Sequence, residues 1–119
     1  MSQTFKKYER LCHKKVIESL FDRGNPLNKS FAVYPIRVIY QKTEKEQLAP
    51  KVLFSVSKRS FKKAVDRNLL KRRLREAYRL HKSLVSNPQL NIVFLYTPRV
   101  ETSYQEIEKA MVSILQRIQ

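Results

Sequence analysis

Residues 66–79 constrain the fold of this chain more than any other segment. Their sequence, DRNLLKRRLREAYR, separates apolar from cationic side chains when it is placed on a helix at about 100° per residue. One face would carry Leu70, Leu74, Ala77, His81 and Leu84, and the opposite stripe Asn68, Lys71, Arg72, Arg75, Arg79 and Lys82. The segment therefore predicts an amphipathic helix that packs on a core and presents five cations to solvent.

The positive charge of the chain is concentrated around this helix. Residues 58–82 carry 11 of the 25 Lys and Arg residues but only two of the 10 Asp and Glu residues, and the formal net charge is +15. A solvated helix face usually mixes both signs, whereas clustering of one sign is typical of nucleic-acid binding. Four more cations precede the helix and Arg67 lies at its margin; the four are Lys58, Arg59, Lys62 and Lys63.

Length and composition set the class of protein. A chain of 119 residues predicts a single domain, residues 1–119, with one modest core. No apolar run approaches the roughly 20 residues that span a bilayer, and no secretory signal is expected. The single cysteine excludes an internal disulfide and is typical of the cytoplasm. The chain also has only two histidines, which lie far apart in the sequence, so neither a metal site nor a protein-bound cofactor is expected.

Hydrophobic periodicity predicts three helices and three strands. The helices are expected over residues 13–22, over residues 64–85 and after Ser103, and the strands over residues 31–40, 52–57 and 91–97. Gly24 suits the end of the first helix, and Ser103 with Glu106 forms a capping box at the start of the last.

The strand patterns predict how the sheet is built. Pro35 indicates an edge position or a bulge in the strand over residues 31–40. The polar residues 41–50 are expected to join this strand to residues 52–57 as a hairpin with a long loop. Residues 91–97 are apolar on both alternating sets, which predicts a central strand buried on both faces. The predicted elements follow in the order helix, strands, helix, strand, helix. This order predicts an α+β fold, a two-layer α-β sandwich.

Four segments together resemble one known family, the protein subunit of bacterial ribonuclease P. Arg10-Leu11, with Ile17, Phe21 and Gly24, resembles the opening pattern of that family. Residues 54–58, FSVSK, resemble its strand-end segment, and residues 62–64, KKA, its basic approach to the central helix. Residues 67–76, RNLLKRRLRE, resemble its signature helix, which is named for an Arg-Asn-Arg start.

Three positions depart from the pattern of the family. Leu69 replaces the second arginine of the signature, Ile17 stands where an aromatic residue is usual, and Arg73 occupies a position that is often apolar. The helical wheel puts Leu69 beside the basic stripe, so its presence is expected to weaken RNA contact without abolishing it.

The resemblance implies a fold and a function. The fold would be three helices on a mixed four-stranded sheet with a left-handed strand–helix–strand crossover, the fourth strand lying beside residues 24–27. The chain would assist a catalytic RNA in the endonucleolytic removal of the 5′ leader from precursor tRNA. The expected partners are ribonuclease P RNA and precursor tRNA in the bacterial cytoplasm, with Mg²⁺ acting with the RNA and no protein or membrane partner required.

The resemblance and the charge pattern together imply two binding surfaces and no catalytic residue in the chain. The RNA-binding surface would consist of Lys58, Arg59, Lys62, Lys63, Arg67, Asn68, Lys71, Arg72, Arg75, Arg79 and Lys82. The cleft for the precursor-tRNA leader would be lined by Ile17, Phe21, Phe31 and Tyr34, with Lys71 and Arg75 at its edge. Ordinary core packing is the alternative for Phe21 and Phe31.

Three other functions are compatible with a basic helix. A general RNA-binding module would use the same surface without serving ribonuclease P. A helix-turn-helix DNA-binding protein would need a preceding helix and short turn, which the pattern lacks. A stand-alone metal-dependent nuclease would need several carboxylates that converge on a metal ion. The basic segment has only two acidic residues, Asp66 and Glu76, and they lie ten residues apart on the helix.

Overall fold

A mixed sheet organises residues 5–118, the part of the chain that the computed structural model describes. The elements in order are α1 (Lys14–Leu20), β1 (Lys29–Val33), β2 (Ile36–Lys42), β3 (Lys51–Val56), α2 (Ala64–His81), β4 (Leu90–Tyr96) and α3 (Tyr104–Arg117). Short 3-10 helices cover Lys7–Glu9 and Lys82–Leu84. The predicted α+β fold with three helices is confirmed.

The strand order in space is β1-β2-β4-β3. β1 pairs with β2 and β2 with β4 in antiparallel register, whereas β3 and β4 are parallel. The predicted hairpin between β2 and β3 is wrong, because β4 is inserted between them. Helix α2 connects the parallel pair as the predicted strand–helix–strand crossover, whose handedness stays a prediction from the resemblance.

The fourth strand arises from a break at Pro35. The Tyr34–Pro35 peptide bond is cis. Residues 31–40 belong to two strands, β1 and β2, and the pairing of these strands begins beside the turn, where Val33 lies opposite Ile36. Proline has no N–H for the ladder, and a cis proline fits the third position of a type VI turn. The prediction of one long strand is therefore wrong, as is a fourth strand beside residues 24–27, which form turns.

Strand β4 is the centre of the fold, with every side chain except Leu95 buried, as predicted. Its alternate residues belong to two hydrophobic clusters on opposite faces of the sheet. Phe94 packs towards α2, where its ring stacks 5.7 Å from that of Phe54. Val93 points the other way and packs with Leu11 and Leu20, so α1 covers the second face of the sheet.

The last helix is built as its pattern predicts. Ser103 caps it, its Oγ accepting a hydrogen bond from the Glu106 N–H at 3.3 Å, and the apolar stripe from Ile107 to Leu115 is buried. Arg73 holds this end of α3 against α2. Its Nη1 donates to the Thr102 carbonyl at 2.8 Å and pairs with Glu101 at 2.7 Å, which explains why a cation occupies this position.

An ion pair with a buried glutamate ties the segment around Glu9 to the end of α2. Glu9 is 1 % exposed and the Lys82 side chain 20 % exposed, and Lys82 Nζ donates to the two Glu9 carboxylate oxygens at 2.9 and 3.0 Å. Burial raises the pKa of the neighbouring Tyr78 hydroxyl, and the charge of Glu9 raises it further. Lys82 was predicted on the open stripe of a helix reaching residue 85; this is wrong, because α2 ends at His81 and Lys82 faces Glu9.

Replacing Lys82 by alanine is expected to lower the free energy of unfolding by about 3 kcal/mol, because Glu9 would remain buried without its cation. Urea denaturation at neutral pH measures this change. Lys109→Ala, at an exposed position of α3, is the matched control and should change stability by less than about 0.5 kcal/mol. Equal effects of the two substitutions would contradict the assigned role of the pair.

Candidate nucleic-acid interface

The solvent side of α2 and the loop before it form one continuous basic surface. We call this the basic surface; it comprises Lys58, Arg59, Lys62, Lys63, Asn68, Lys71, Arg72 and Arg75. Lys71 and Arg75 are half-buried and the other members are exposed. Within residues 5–118, none of its seven cationic side chains has a carboxylate within ion-pair distance. Leu70, Leu74 and Ala77 are buried on the opposite face, so the predicted amphipathic helix is confirmed.

Three cations predicted for this surface are instead held by the protein itself. Arg67 Nη1 donates to the Phe61 and Lys62 carbonyls at 2.7 and 2.9 Å. Arg79 pairs with Glu76 at 2.8 Å, and this hydrogen bond lowers the pKa of the Glu76 carboxyl. Lys82 pairs with Glu9. Each of these side chains has a partner within the protein, so the predicted stripe does not consist of open cations alone, and their assignment to RNA binding stays a prediction.

The apolar face of α2 also ends earlier than predicted. His81 Nε2 lies 3.1 Å from a Glu108 oxygen, a boundary position at the junction with α3. Leu84 lies in the 3-10 turn after α2 and is 37 % exposed. The packing face predicted over residues 70–84 therefore stops at the last turn of α2.

The basic surface continues into a groove at the outer edge of β3. Leu11 N–H donates to the Val52 carbonyl at 3.0 Å, which lays the segment around Arg10 along this edge. Arg10, Lys71 and Arg75 line a concavity of about 240 Å³ beside Cys12 and Leu53. We call it the edge groove. In this groove Arg10 adds a third cation to Lys71 and Arg75, which the sequence pattern predicts to bind RNA.

A second concavity lies on the sheet face that α1 covers. It has a volume of about 570 Å³, with an apolar floor of Leu20, Ile39 and Leu95. We call it the sheet-face pocket. Phe21, 45 % exposed, stands at its rim, and the charged side chains of the lining are Arg23, Arg37 and the carboxylate Asp22. Exposed aromatic rings beside cations are the chemistry that binds single-stranded nucleic acid.

Polar side chains fix the turn that carries Phe21. Asn28 Nδ2 donates to the Ser19 and Leu20 carbonyls at 2.7 and 3.3 Å, satisfying the end of α1. Asn25 Nδ2 donates to Ser19 Oγ at 2.8 Å. Elsewhere in the lining of the pocket, Arg37 Nη2 donates to Ser30 Oγ at 3.1 Å. The turn that carries Phe21 and the side chain of Arg37 are thus both held by local hydrogen bonds.

The structure does not bring the predicted cleft residues together. Phe21 lines the sheet-face pocket. Ile17, a residue of α1, packs against the hydrophobic cluster between α1 and the sheet. Lys71 and Arg75 lie in the edge groove instead. Tyr34, 65 % exposed, occupies the turn between β1 and β2, outside this pocket.

Phe31 faces the other side of the sheet, so its placement in the cleft is wrong. The guanidinium of Arg117 lies over its ring at 4.0 Å, and the ring of Tyr40 lies 6.3 Å away. Strand alternation explains this, because Phe31 pairs with Val38, whose side chain belongs to the core beneath α2 and α3.

Three cations near these concavities were missed from the sequence: Arg10, Arg23 and Arg37. Arg37 could have been found once β2 was separated from β1, because Ile36 and Val38 alternate with Arg37 and Ile39 along the strand. Arg10 stands out in the sequence only as part of the Arg-Leu motif. For Arg23 nothing beyond its charge distinguished it from the other surface cations.

The described part of the chain contains neither a metal-ligand cluster nor a helix that could span a membrane. Within residues 5–118, no three His, Cys, Asp or Glu side chains approach closely enough to hold a metal ion. Of the helices in this range, none has the length and hydropathy needed to cross a bilayer.

Comparison with known proteins gives a consistent result. The family model described as ribonuclease P matches residues 5–119. The ribonuclease P protein component of Porphyromonas gingivalis strain W83 is 36 % identical over 119 residues, covering 94 % of this chain and 84 % of the relative. That of Petrotoga mobilis is 31 % identical over 127 residues, covering 98 % and 97 %.

Solved structures show the same fold. The RNase P protein from Thermotoga maritima superposes with a TM-score of 0.75 at 22 % identity, covering 93 % of this chain and 98 % of that one. The Staphylococcus aureus RNase P protein gives a TM-score of 0.74 at 21 % identity, covering 92 % and 94 %. Both likenesses support the arrangement of three helices on a four-stranded mixed sheet.

Proposed function

The chain belongs to the ribonuclease P family, and from that premise we propose that it is the protein component of a ribonuclease P, the enzyme that removes the 5′ leader of precursor tRNA. In this proposal the RNA subunit carries out the cleavage together with Mg²⁺, as the resemblance implies. The protein is a subunit of the enzyme, works in the bacterial cytoplasm and supplies binding energy rather than a catalytic group.

The observation that carries the proposal is the basic surface. Its seven cationic side chains have no carboxylate partner among the described residues, and they follow one helix face and the loop before it. Lysine and arginine arranged in this way pair with backbone phosphates, a contact that depends on shape more than on base sequence. The RNA subunit is the partner proposed for this surface.

The sheet-face pocket is proposed to hold the leader of the substrate. Phe21 offers a ring on which a base can stack, and Arg23 and Arg37 lie where they can neutralise the adjoining phosphates. Because mature tRNA has no leader, contacts made here favour the precursor over the product. The edge groove, with Arg10, Lys71 and Arg75, adds positive charge between α2 and the edge of β3.

Reconstitution tests this function. A transcribed bacterial ribonuclease P RNA is incubated with precursor tRNA at a magnesium concentration at which the RNA alone is slow. Adding this protein is expected to restore cleavage at the 5′ end of the mature tRNA, because its cations reduce phosphate repulsion that Mg²⁺ otherwise screens.

Two controls are needed to interpret that experiment. A basic ribosomal protein of similar charge should bind RNA without restoring cleavage, and equal rescue by both proteins would favour a general RNA-binding module. The protein without RNA should leave the precursor intact, whereas cleavage by the protein alone would favour a stand-alone nuclease. Failure to restore cleavage with several bacterial RNAs would contradict the proposal.

A further inference from the structure

The loop between β3 and α2 concentrates like charges. Lys58, Arg59, Lys62 and Lys63 all lie within six consecutive residues, and all four side chains are exposed. Four cations this close together repel one another, and repulsion favours a spread of conformations over one arrangement. Some feature of the fold must therefore hold the backbone of this loop.

The near end of the loop is held by its own backbone and by one aromatic side chain. Phe61 N–H donates to the Ser57 carbonyl at 3.1 Å, and Arg59 N–H donates to Ser57 Oγ at 3.1 Å. The ring of Phe61 packs on the main core, 5.8 Å from that of Tyr96. These contacts hold the first part of the loop, from Ser57 to the N–H and ring of Phe61.

The far end of the loop is held by Arg67 from the first turns of α2. Its Nη1 atom carries two hydrogens and donates to two carbonyls, those of Phe61 at 2.7 Å and Lys62 at 2.9 Å. Charged donors at these distances form the stronger class of hydrogen bond. Among the described residues, no other side chain of α2 donates to this loop.

We propose that Arg67 is a positioning residue for RNA binding. Its guanidinium holds the Phe61 and Lys62 carbonyls and thereby aligns the cations of the loop with Lys71, Arg72 and Arg75 of α2. The inference rests on the proposed function for its biological meaning. It differs from the role that the resemblance implies for the first arginine of the signature, which is direct contact with RNA.

Direct contact and positioning predict different salt dependences. A side chain that pairs with a phosphate contributes about 0.7–0.9 to the slope of log affinity against log salt concentration, and its removal lowers the slope by that amount. A positioning side chain leaves the number of phosphate contacts unchanged. Its removal lowers the affinity, because the loop must be ordered on binding, but the slope stays nearly the same.

The first measurement uses the free protein and is independent of any RNA. Hydrogen exchange is compared in the wild-type protein, Arg67→Met and Arg67→Lys, with Arg72→Met as the matched control, since Arg72 is exposed on the same helix. In Arg67→Met, exchange of the Arg59 and Phe61 amides, which donate hydrogen bonds within the loop, is expected to accelerate at least tenfold, while α3 stays protected. Arg67→Lys, which keeps the charge but not the planar fork, should show the same local change to a smaller extent.

The second measurement uses a transcribed bacterial ribonuclease P RNA over a series of salt concentrations. Arg72→Met is expected to lose roughly 5- to 8-fold in affinity at 0.1 M monovalent salt, with the slope reduced by about 0.7–0.9. Arg67→Met should lose roughly 10- to 50-fold with its slope nearly unchanged, as ordering of a loop requires. In a Lys62→Met, Lys63→Met background, the Arg67→Met loss should shrink to less than about 3-fold.

The outcomes separate this inference from the function on which it rests. Unchanged exchange of the Arg59 and Phe61 amides in Arg67→Met would overturn the positioning role, as would a slope reduced by one full contact. If exchange in Arg67→Met rose throughout α3 as well, the substitution would have destabilised the whole fold, and the loop would be compared in Arg67→Lys instead. Normal protection of the loop in Arg67→Lys would then overturn the inference. If exchange rose locally but neither Arg72→Met nor the lysine substitutions weakened RNA binding, the basic surface and not the position of the loop would be wrong.

Discussion

Replacing Lys71, Arg72 and Arg75 together by methionine is expected to lower the affinity for a ribonuclease P RNA by about 10²- to 10³-fold at 0.1 M monovalent salt, if each contacts one phosphate. The log–log salt slope should fall by about 2–3 in parallel. Methionine preserves the aliphatic packing of the half-buried Lys71 and Arg75, so the loss reports charge rather than stability. Filter binding over a series of salt concentrations measures both quantities.

A second triple substitution distinguishes contact from net charge. Lys29, Lys42 and Lys45 are exposed around β1, β2 and the loop that follows, and changing all three to methionine removes the same charge. This variant should lose little affinity and keep its salt slope. If both triple variants weakened RNA binding equally, long-range attraction by the net charge would explain the data and the basic surface would lose its assignment.

Phe21→Ala is expected to lower the affinity of the reconstituted enzyme for precursor tRNA by roughly 5- to 100-fold, the range for loss of one base-stacking contact. The affinity for mature tRNA should stay the same, because that ligand has no leader to occupy the sheet-face pocket. Phe21 is 45 % exposed and lies outside both core clusters, so folding should be little affected. Equilibrium binding of the two tRNAs gives the comparison.

Tyr34→Ala is the matched control, because it removes another exposed aromatic ring at a different place. Its expected effect on either tRNA is small, since Tyr34 stands in the turn at the end of β1 and β2. A selective loss of precursor binding in Tyr34→Ala and none in Phe21→Ala would move the leader to that turn. Equal weakening of both tRNAs by Phe21→Ala would remove the leader from the sheet-face pocket.

The helices could be read from the sequence because their signals are local. The stripe of Ile107, Met111 and Ile114 and the cap at Ser103 act within a few turns, and the structure places them as the pattern predicts. The buried face of α2 follows in the same way from Leu70 and Leu74. Amphipathic periodicity records which side meets the core without reference to distant parts of the chain.

The sheet was harder to predict because its pairing is not local. Pro35 was noticed as an irregularity, but only the paired register of Val33 with Ile36 shows that it ends one strand and begins another. The same break decides which face each side chain occupies, because a shift of one residue reverses the alternation. Phe31 was misplaced and Arg37 was missed for this single reason.

The partners of the cations were also beyond the reach of the pattern. Glu9 is 73 positions away from Lys82 in sequence, and no periodicity connects them. Arg67 and Arg79 were counted as open charges because a helical wheel shows the direction of a side chain but not the carbonyl or carboxylate that meets it. Charge counting therefore found the right helix and overestimated how many of its cations are available.

The alkylation rate of the Cys12 thiol can report whether a ligand occupies the edge groove. It is the single cysteine of the chain, its side chain is exposed, and it lies beside Arg10, Lys71 and Arg75. A small alkylating reagent such as N-ethylmaleimide would therefore modify one known atom at a rate set by access to the groove. Slower alkylation in the presence of a bound polynucleotide would provide a footprint from the natural thiol, with no label introduced by mutation.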